Sequence, residues 1–301
     1  MSRPLYGAIE AGGTKFVCAV GYGPTELIES LRAEVPTSTP AATLDAVAAF
    51  FERVRREAGA LTGIGIAAFG PVDLDPRSRS FGRLLATPKP GWSGVSLAEP
   101  LHRLGCPVAI DTDVNSAALA EARFGAGLGT RSLAYVTVGT GIGGGVVIEG
   151  RSMKGLLHPE MGHILVRRDA RDAAFAGTCP FHADCLEGLA SGPALVARWG
   201  SPVESWPATH PGLEIAGGYL GQLAATIALM LSCERIVFGG GVMSSGGLFP
   251  FIRQTAARQL NGYLPIEARA GGFARYIAPS ALGKLAGLRG ALLLAGAPPP
   301  A

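Results

Sequence analysis

The sequence predicts an α/β protein with two lobes, and three observations carry the prediction. Two glycine-rich hairpins recur far apart in the chain, strand-like and helix-like segments alternate around them, and the chain is long enough for two cores. Its 301 residues, 48% hydrophobic and 16% charged, fit two lobes better than one.

The first hairpin, LYGAIEAGGTKFVCAV, and the second, SLAYVTVGTGIGGGVVI from Ser132 to Ile148, share a layout. Each is an apolar, β-rich run, a glycine/threonine turn and a second β-rich run, the pattern of strands joined by a tight connection. Their recurrence predicts a duplicated fold. Between them Leu44, Val47, Ala48, Phe51 and Val54 recur at helical spacing and predict a helix over Thr43 to Glu57, followed by a strand over Ile64 to Phe69. Cys106 to Ile110 reads as a strand running into Asp111-Thr112-Asp113, and Ser116 to Phe124 as the helix after it. A helix over Gly218 to Ser232, a strand over Arg235 to Phe238, the triplet Gly239-Gly240-Gly241 and a helix over Phe251 to Leu260 complete the alternation. A last helix over Ser280 to Ala295 is stopped by Pro298 to Pro300. The expected division is a small lobe over 1–114 and a larger one over 115–301, with the C-terminal helix (280–297) packing back on the first and a Cys/His-bearing loop over 158–187. The gap between the halves is the natural ligand site.

Charge and composition exclude several classes. The net charge of +3 arises from 26 basic and 23 acidic residues without a basic block, so no nucleic-acid partner is expected. No signal peptide is expected before the apolar run Leu5 to Ala11, which predicts a cytoplasmic protein. The apolar stretch Leu223 to Leu231 falls short of the roughly 20 residues that cross a bilayer, so no membrane span is expected. The five cysteines argue against a disulfide framework; Cys18, Cys106 and Cys233 read as buried thiols.

Three glycine loops carry the ligand chemistry. Gly12-Gly13-Thr14-Lys15 joins two strands and can bring backbone N–H groups to an anion, without the spacing of a P-loop. Gly139 to Gly145 has a dinucleotide-type glycine spacing, but a β-rich segment follows it, which excludes a Rossmann reading. Gly239-Gly240-Gly241 lies between a strand and a helix, where a flat ligand could approach the backbone, or simply makes a tight turn. Asp113, at a strand-to-helix junction, reads on its own as a helix N-cap worth about 1 kcal/mol, and alternatively as a carboxylate able to accept a proton. Cys179, His182 and Cys185, each three apart, form with His163 a donor set suited to a closed tetrahedral zinc site; free thiols and a surface histidine are the simpler reading.

Together the three loops resemble the sugar-kinase and actin ATPase superfamily, and within it the ROK kinases, over nearly the whole chain. The resemblance implies two ribonuclease H-like, actin-like ATPase lobes with an interdomain cleft. It implies nucleotide contacts from Gly12, Gly13, Thr14, Lys15, Thr140, Gly141 and Gly240, with ATP and Mg²⁺ as cofactors. Glu10 stands where family members usually carry aspartate. Asp111-Thr112-Asp113-Val114-Asn115, followed by Ala117, Ala118 and Glu121, looks like the family's catalytic segment, which makes Asp113 the general base. Thr112 replaces the usual asparagine at a sugar contact. Glu160, His163 and Glu187 match the family's sugar-binding residues. His182 replaces a cysteine of the family's metal set, a variant similar to the fructokinase branch, which implies structural Zn²⁺ on His163, Cys179, His182 and Cys185. Gly65 to Asp73 and Thr87 to Trp92 look like that branch's sugar-facing edge, with Trp92 either stacking on sugar or anchoring its loop.

The resemblance thus implies an ATP-dependent hexose kinase, foremost a fructokinase, with a glucokinase, mannokinase or N-acylhexosamine kinase as alternatives. A homodimer is implied as well. A sugar-responsive repressor of the same family would need a helix-turn-helix before the first loop, where only Met1 to Ile9 stand. A non-catalytic ATP-binding scaffold would not need Asp113 or the sugar-contact set.

Overall fold

The computed structural model describes residues 3–297, so the stop at Pro298 to Pro300 lies outside the described residues. The chain divides into two compact units. One comprises the residues up to Ala120, Ser152–His158 and the stretch from Lys284; the other comprises Glu121–Arg151 and Pro159–Gly283.

The first unit contains β1 (Tyr6–Ala11), β2 (Lys15–Gly23), β3 (Glu26–Pro36), α1 (Pro40–Ala58), β4 (Gly63–Ala68), β5 (Val108–Thr112) and most of α2 (Asp113–Phe124). Its sheet runs β3-β2-β1-β4-β5, antiparallel across β1, β2 and β3 and parallel across β1, β4 and β5. β3 has no counterpart among the predicted elements. α1 starts ahead of the predicted Thr43 because Thr39 caps it through the Ala42 N–H and Pro40 supplies a first-turn residue with φ already helical.

The two-residue period of the strands sorts side chains by size between the two faces of this sheet. Ile9, Phe16, Cys18, Val20, Ile64 and Ile66 join the core that includes Leu44, Val47, Phe51 and Val54 of α1. Ala8, Val17, Ala19 and Ala67 face the other way, where Leu288, Ala291 and Leu292 of the C-terminal helix (Ala286–Ala295) cover them. Small residues on this face let the helix approach the sheet closely. At Gly65, two residues from Ala67, a Cβ would lie 1.8 Å from the carbonyl oxygen of Ala291.

The second unit contains the end of α2, β6 (Ser132–Val138), β7 (Ile142–Ile148), β8 (Arg151–Ser152, whose second residue belongs to the first unit), α3 (Leu186–Ala190), α4 (Gly192–Trp199), α5 (Pro211–Leu231), β9 (Arg235–Gly239), α6 (Phe249–Leu260) and β10 (Ile277–Pro279). Its sheet runs β10-β9-β6-β7-β8. Replacing β1 to β5 of the first sheet by β6, β7, β8, β9 and β10 reproduces this order, with β6 antiparallel to β7 and parallel to β9, and β9 parallel to β10. The duplication expected from the two hairpins is present in the topology.

Two further elements differ from expectation. α5 begins at Pro211, where His210 caps it by accepting the Gly212 N–H, and its 21 residues are long and apolar enough to cross a bilayer, which Leu223 to Leu231 alone did not suggest. It is a core helix: 67% of its most apolar window is buried, with Gly217 and Gly221 against Phe251 and Thr255 of α6. The last helix starts later than Ser280, because the Ser280 hydroxyl and the Ala281 and Leu282 N–H groups donate to the buried carboxylate of Glu121.

Gly65→Ala should destabilise the protein by at least about 1–3 kcal/mol, since the added methyl meets backbone rather than a movable side chain. Urea denaturation measures this, and an unchanged midpoint would contradict the packing described.

Candidate active site

The junction of β5 and α2 assigns three neighbouring residues three different tasks. The Thr112 hydroxyl accepts the Asn115 N–H at 3.0 Å and so caps α2. Asp113 is therefore not the cap, and α2 begins three residues before the predicted Ser116. Asp111, 1% exposed, receives the Thr112 N–H at 2.8 Å, the Asn115 side-chain amide at 2.7 Å, the Ser152 hydroxyl at 2.8 Å and the Lys154 ammonium at 3.0 Å. Asp113 is half-buried and accepts the Val114 N–H at 2.8 Å.

Burial pushes the Asp113 carboxyl up to about 6. Glu10, at the end of β1, is pushed up to about 7, first by burial and then by the negative charge of Asp113, while Arg32 and Lys15 pull the other way. The pair titrates in sequence: Asp113 ionises first, and its charge then holds the proton on Glu10. Asp113 is thus the carboxyl of the two that is ionised near neutral pH, in the form able to accept a proton.

The first glycine loop leaves β1 two residues after Glu10. The Gly12 N–H donates to the Lys15 carbonyl at 3.0 Å, and the Thr37 hydroxyl donates to the Gly12 carbonyl at 2.8 Å. Gly13 and Thr14 are exposed. Lys15, expected on the nucleotide, instead pairs with Glu34 of β3 at 2.7 Å. Lys89 Nζ, which the sequence did not single out, donates to the Gly13 carbonyl. Trp92 resolves to the anchoring role: it is fully buried, its ring packs on Phe16 and Phe69, and its indole N–H donates to the Ser38 carbonyl at 3.0 Å.

In the second unit the other two loops meet. Gly240 lies at φ +91°, and a Cβ there would come within 2.3 Å of the Val138 carbonyl oxygen, so only glycine lets the third loop rest on the start of the second. Thr140 is exposed at the turn. Glu187 reaches this loop: its carboxylate accepts the Ile142 N–H at 2.9 Å and lies 2.7 Å from where a Gly141 Cβ would be. A residue expected only at the sugar therefore also shapes the second loop.

His163, Cys179, His182 and Cys185 come together in the same unit, their ligating atoms all within 4.8 Å of one another. The Cys179 Sγ lies 3.7 Å from the Nδ1 atoms of His163 and His182, and the Cys185 Sγ lies 3.5 Å from His163 Nδ1. Tetrahedral zinc with ordinary Zn–S and Zn–N bonds requires S···N edges of about 3.6 Å, so the residues fit the ion. The loop has its own braces. Arg168 donates to the Asp172 and Phe175 carbonyls and pairs with Asp184, and buried Asp172 accepts from Arg198 and Tyr219. Exposed Glu160 joins His163 through the backbone, its carbonyl accepting the His163 N–H at 3.1 Å.

Residues 6–297 match the model of the ROK family. The chain is 43% identical to the fructokinase of Zymomonas mobilis, covering 97% of both chains. Its fold superposes on a ROK hexokinase from Thermus thermophilus with a TM-score of 0.76 and 30% identity, covering 97% of both chains. A ROK family glucokinase from Streptomyces griseus, solved with glucose and AMPPNP, gives a TM-score of 0.75 and 26% identity, covering 97% of this chain and 99% of that one. With a family match that runs from β1 to the end of the C-terminal helix, this chain belongs to the ROK family.

Proposed function

We propose that this chain is an ATP-dependent fructokinase that uses Asp113 as general base. The observation that carries the reading is the Asp113 carboxyl, relieved of capping by Thr112 and raised to about 6. In the reaction the fructose 6-hydroxyl gives its proton to Asp113, a bond forms from that oxygen to the γ-phosphorus, and the bond to ADP breaks. Fructose is favoured over other hexoses by the 43% identity to the fructokinase, against 30% and 26% for the hexokinase and glucokinase.

Gly12, Gly13, Thr14, Lys15, Thr140, Gly141 and Gly240 are the proposed nucleotide contacts. Lys15 would have to leave Glu34 to make its contact. Mg²⁺, when bound, neutralises charge on the phosphates, and Glu10 is the residue that would hold it. Thr112, Glu160, His163 and Glu187 are the proposed sugar contacts. His163 can serve metal and sugar together, because its Nδ1 faces the thiols and leaves Nε2–H as a donor. Zn²⁺ on His163, Cys179, His182 and Cys185 would brace this loop rather than take part in chemistry. The working form is proposed to be a cytoplasmic homodimer; exposed Leu165 and Phe181 supply apolar surface suited to a second copy.

In a steady-state panel at fixed Mg-ATP, fructose should give the highest kcat/KM among fructose, mannose, glucose and N-acetylated hexosamines; a preference for glucose would overturn the assignment. Asp113→Asn should lower kcat by at least about 10²-fold with thermal stability retained. Because the base acts only when ionised, catalytic efficiency should be full above the raised value and fall as pH drops through about 6, with Glu10 adding a weaker decline from about 7. A profile flat down to pH 5 would argue against Asp113. The purified protein should carry zinc by elemental analysis, and chelation should weaken fructose binding more than ATP binding; a chain that retains no zinc refutes the metal site.

A further inference from the structure

Lys89 sits in the segment Pro88-Lys89-Pro90-Gly91-Trp92, whose backbone is held from both ends. Prolines flank it and limit the backbone on either side. The Trp92 N–H donates to the Lys89 carbonyl at 3.2 Å, with Pro90 and Gly91 at the central positions and Gly91 at φ +79°, the pattern of a type II turn. The turn is fastened by Trp92, which is fully buried and packs on Phe16, the residue that follows Lys15 in β2. Lys89 is thus fixed to the strand that carries the first glycine loop, and its Nζ lies 2.5 Å from the Gly13 carbonyl oxygen. Lys15 Nζ is engaged by Glu34.

We infer that Lys89, rather than Lys15, is the lysine that contacts the transferred phosphoryl group at this loop. The inference rests on the kinase reading above. An ammonium has three donors, so Lys89 can keep the Gly13 carbonyl and still present N–H groups to a phosphate oxygen. The loop continues β1, whose last residue Ala11 is level with Ala68 of β4 and through it with Thr112 of β5, so the loop and Asp113 leave the same edge of the sheet. The phosphate held there is the one nearest the base, hence the one that moves. As its bond to the leaving oxygen breaks, a fixed positive charge lowers the cost of the charge spread over its oxygens.

The test compares full-length wild type, Lys89→Gln and Lys89→Arg in fructose phosphorylation with Mg²⁺, and measures ATP and ADP affinities by calorimetry without sugar. K89Q should lose about 10²-fold in kcat, and its affinity for ATP should fall about tenfold more than its affinity for ADP. K89R should recover part of both, and all three proteins should melt alike. If Lys89 only clamps the turn, ATP and ADP will weaken equally; that result, or an unchanged kcat in K89Q, overturns the inference while leaving the kinase reading intact. A wild type that phosphorylates no hexose overturns the kinase reading, and the role of Lys89 with it.

Discussion

A carboxylate taken out of water costs several kcal/mol unless donors replace the solvent it loses. Asp111 has four such donors, and much of the candidate site hangs on them. Two come from its own junction, the Thr112 N–H and the Asn115 amide, and they fix how β5 passes into α2. The other two, Ser152 and Lys154, tie a returning segment to that junction. With Asp111 supplied by four donors and Thr112 capping, Asp113 is the member of the triplet proposed as the base.

The second unit shows a comparable economy of connection. Cys185 is the residue before α3, and Glu187 lies in the first turn of that helix, bonded to the second glycine loop. The third loop rests on the second through Gly240. A change at the Cys/His cluster is therefore one helical turn away from the phosphate-type loop, within a single unit. The elements proposed to hold substrate and nucleotide share a support, which is a physical basis for the two proposed sites to influence one another.

Much of this was legible in the chain because it is local. Glycine/threonine turns between β-rich runs announce hairpins, and the three-residue spacing of Cys179, His182 and Cys185 announces a donor set. The rest depends on contacts that spacing does not encode. β3 alternates only in its second half, where Leu31, Ala33 and Val35 turn to the core between Ser30, Arg32 and Glu34; the irregular start at Leu27-Ile28-Glu29 and the half-buried apolar side chains kept it from standing out. Asp113 and Thr112 are both good caps by type, and only the Thr112 hydroxyl on the Asn115 N–H separates them. The last helix was predicted too long because Glu121, far earlier in the chain, takes the donors at 280–282. Lys89 gave no signal, since its partner Gly13 is 76 residues away.

The C-terminal helix has a consequence for how the molecule is made. It covers the small-residue face of the first sheet, including strands from the very start of the chain. A ribosome delivers those strands before the second unit and the helix after it, so the sheet waits with one face open until the second unit has been made. The first unit is started before the second but cannot be finished until after it. Loss of the helix Ala286–Ala295, by a premature stop or by proteolysis, would thus strike the unit whose strands were translated before the second unit.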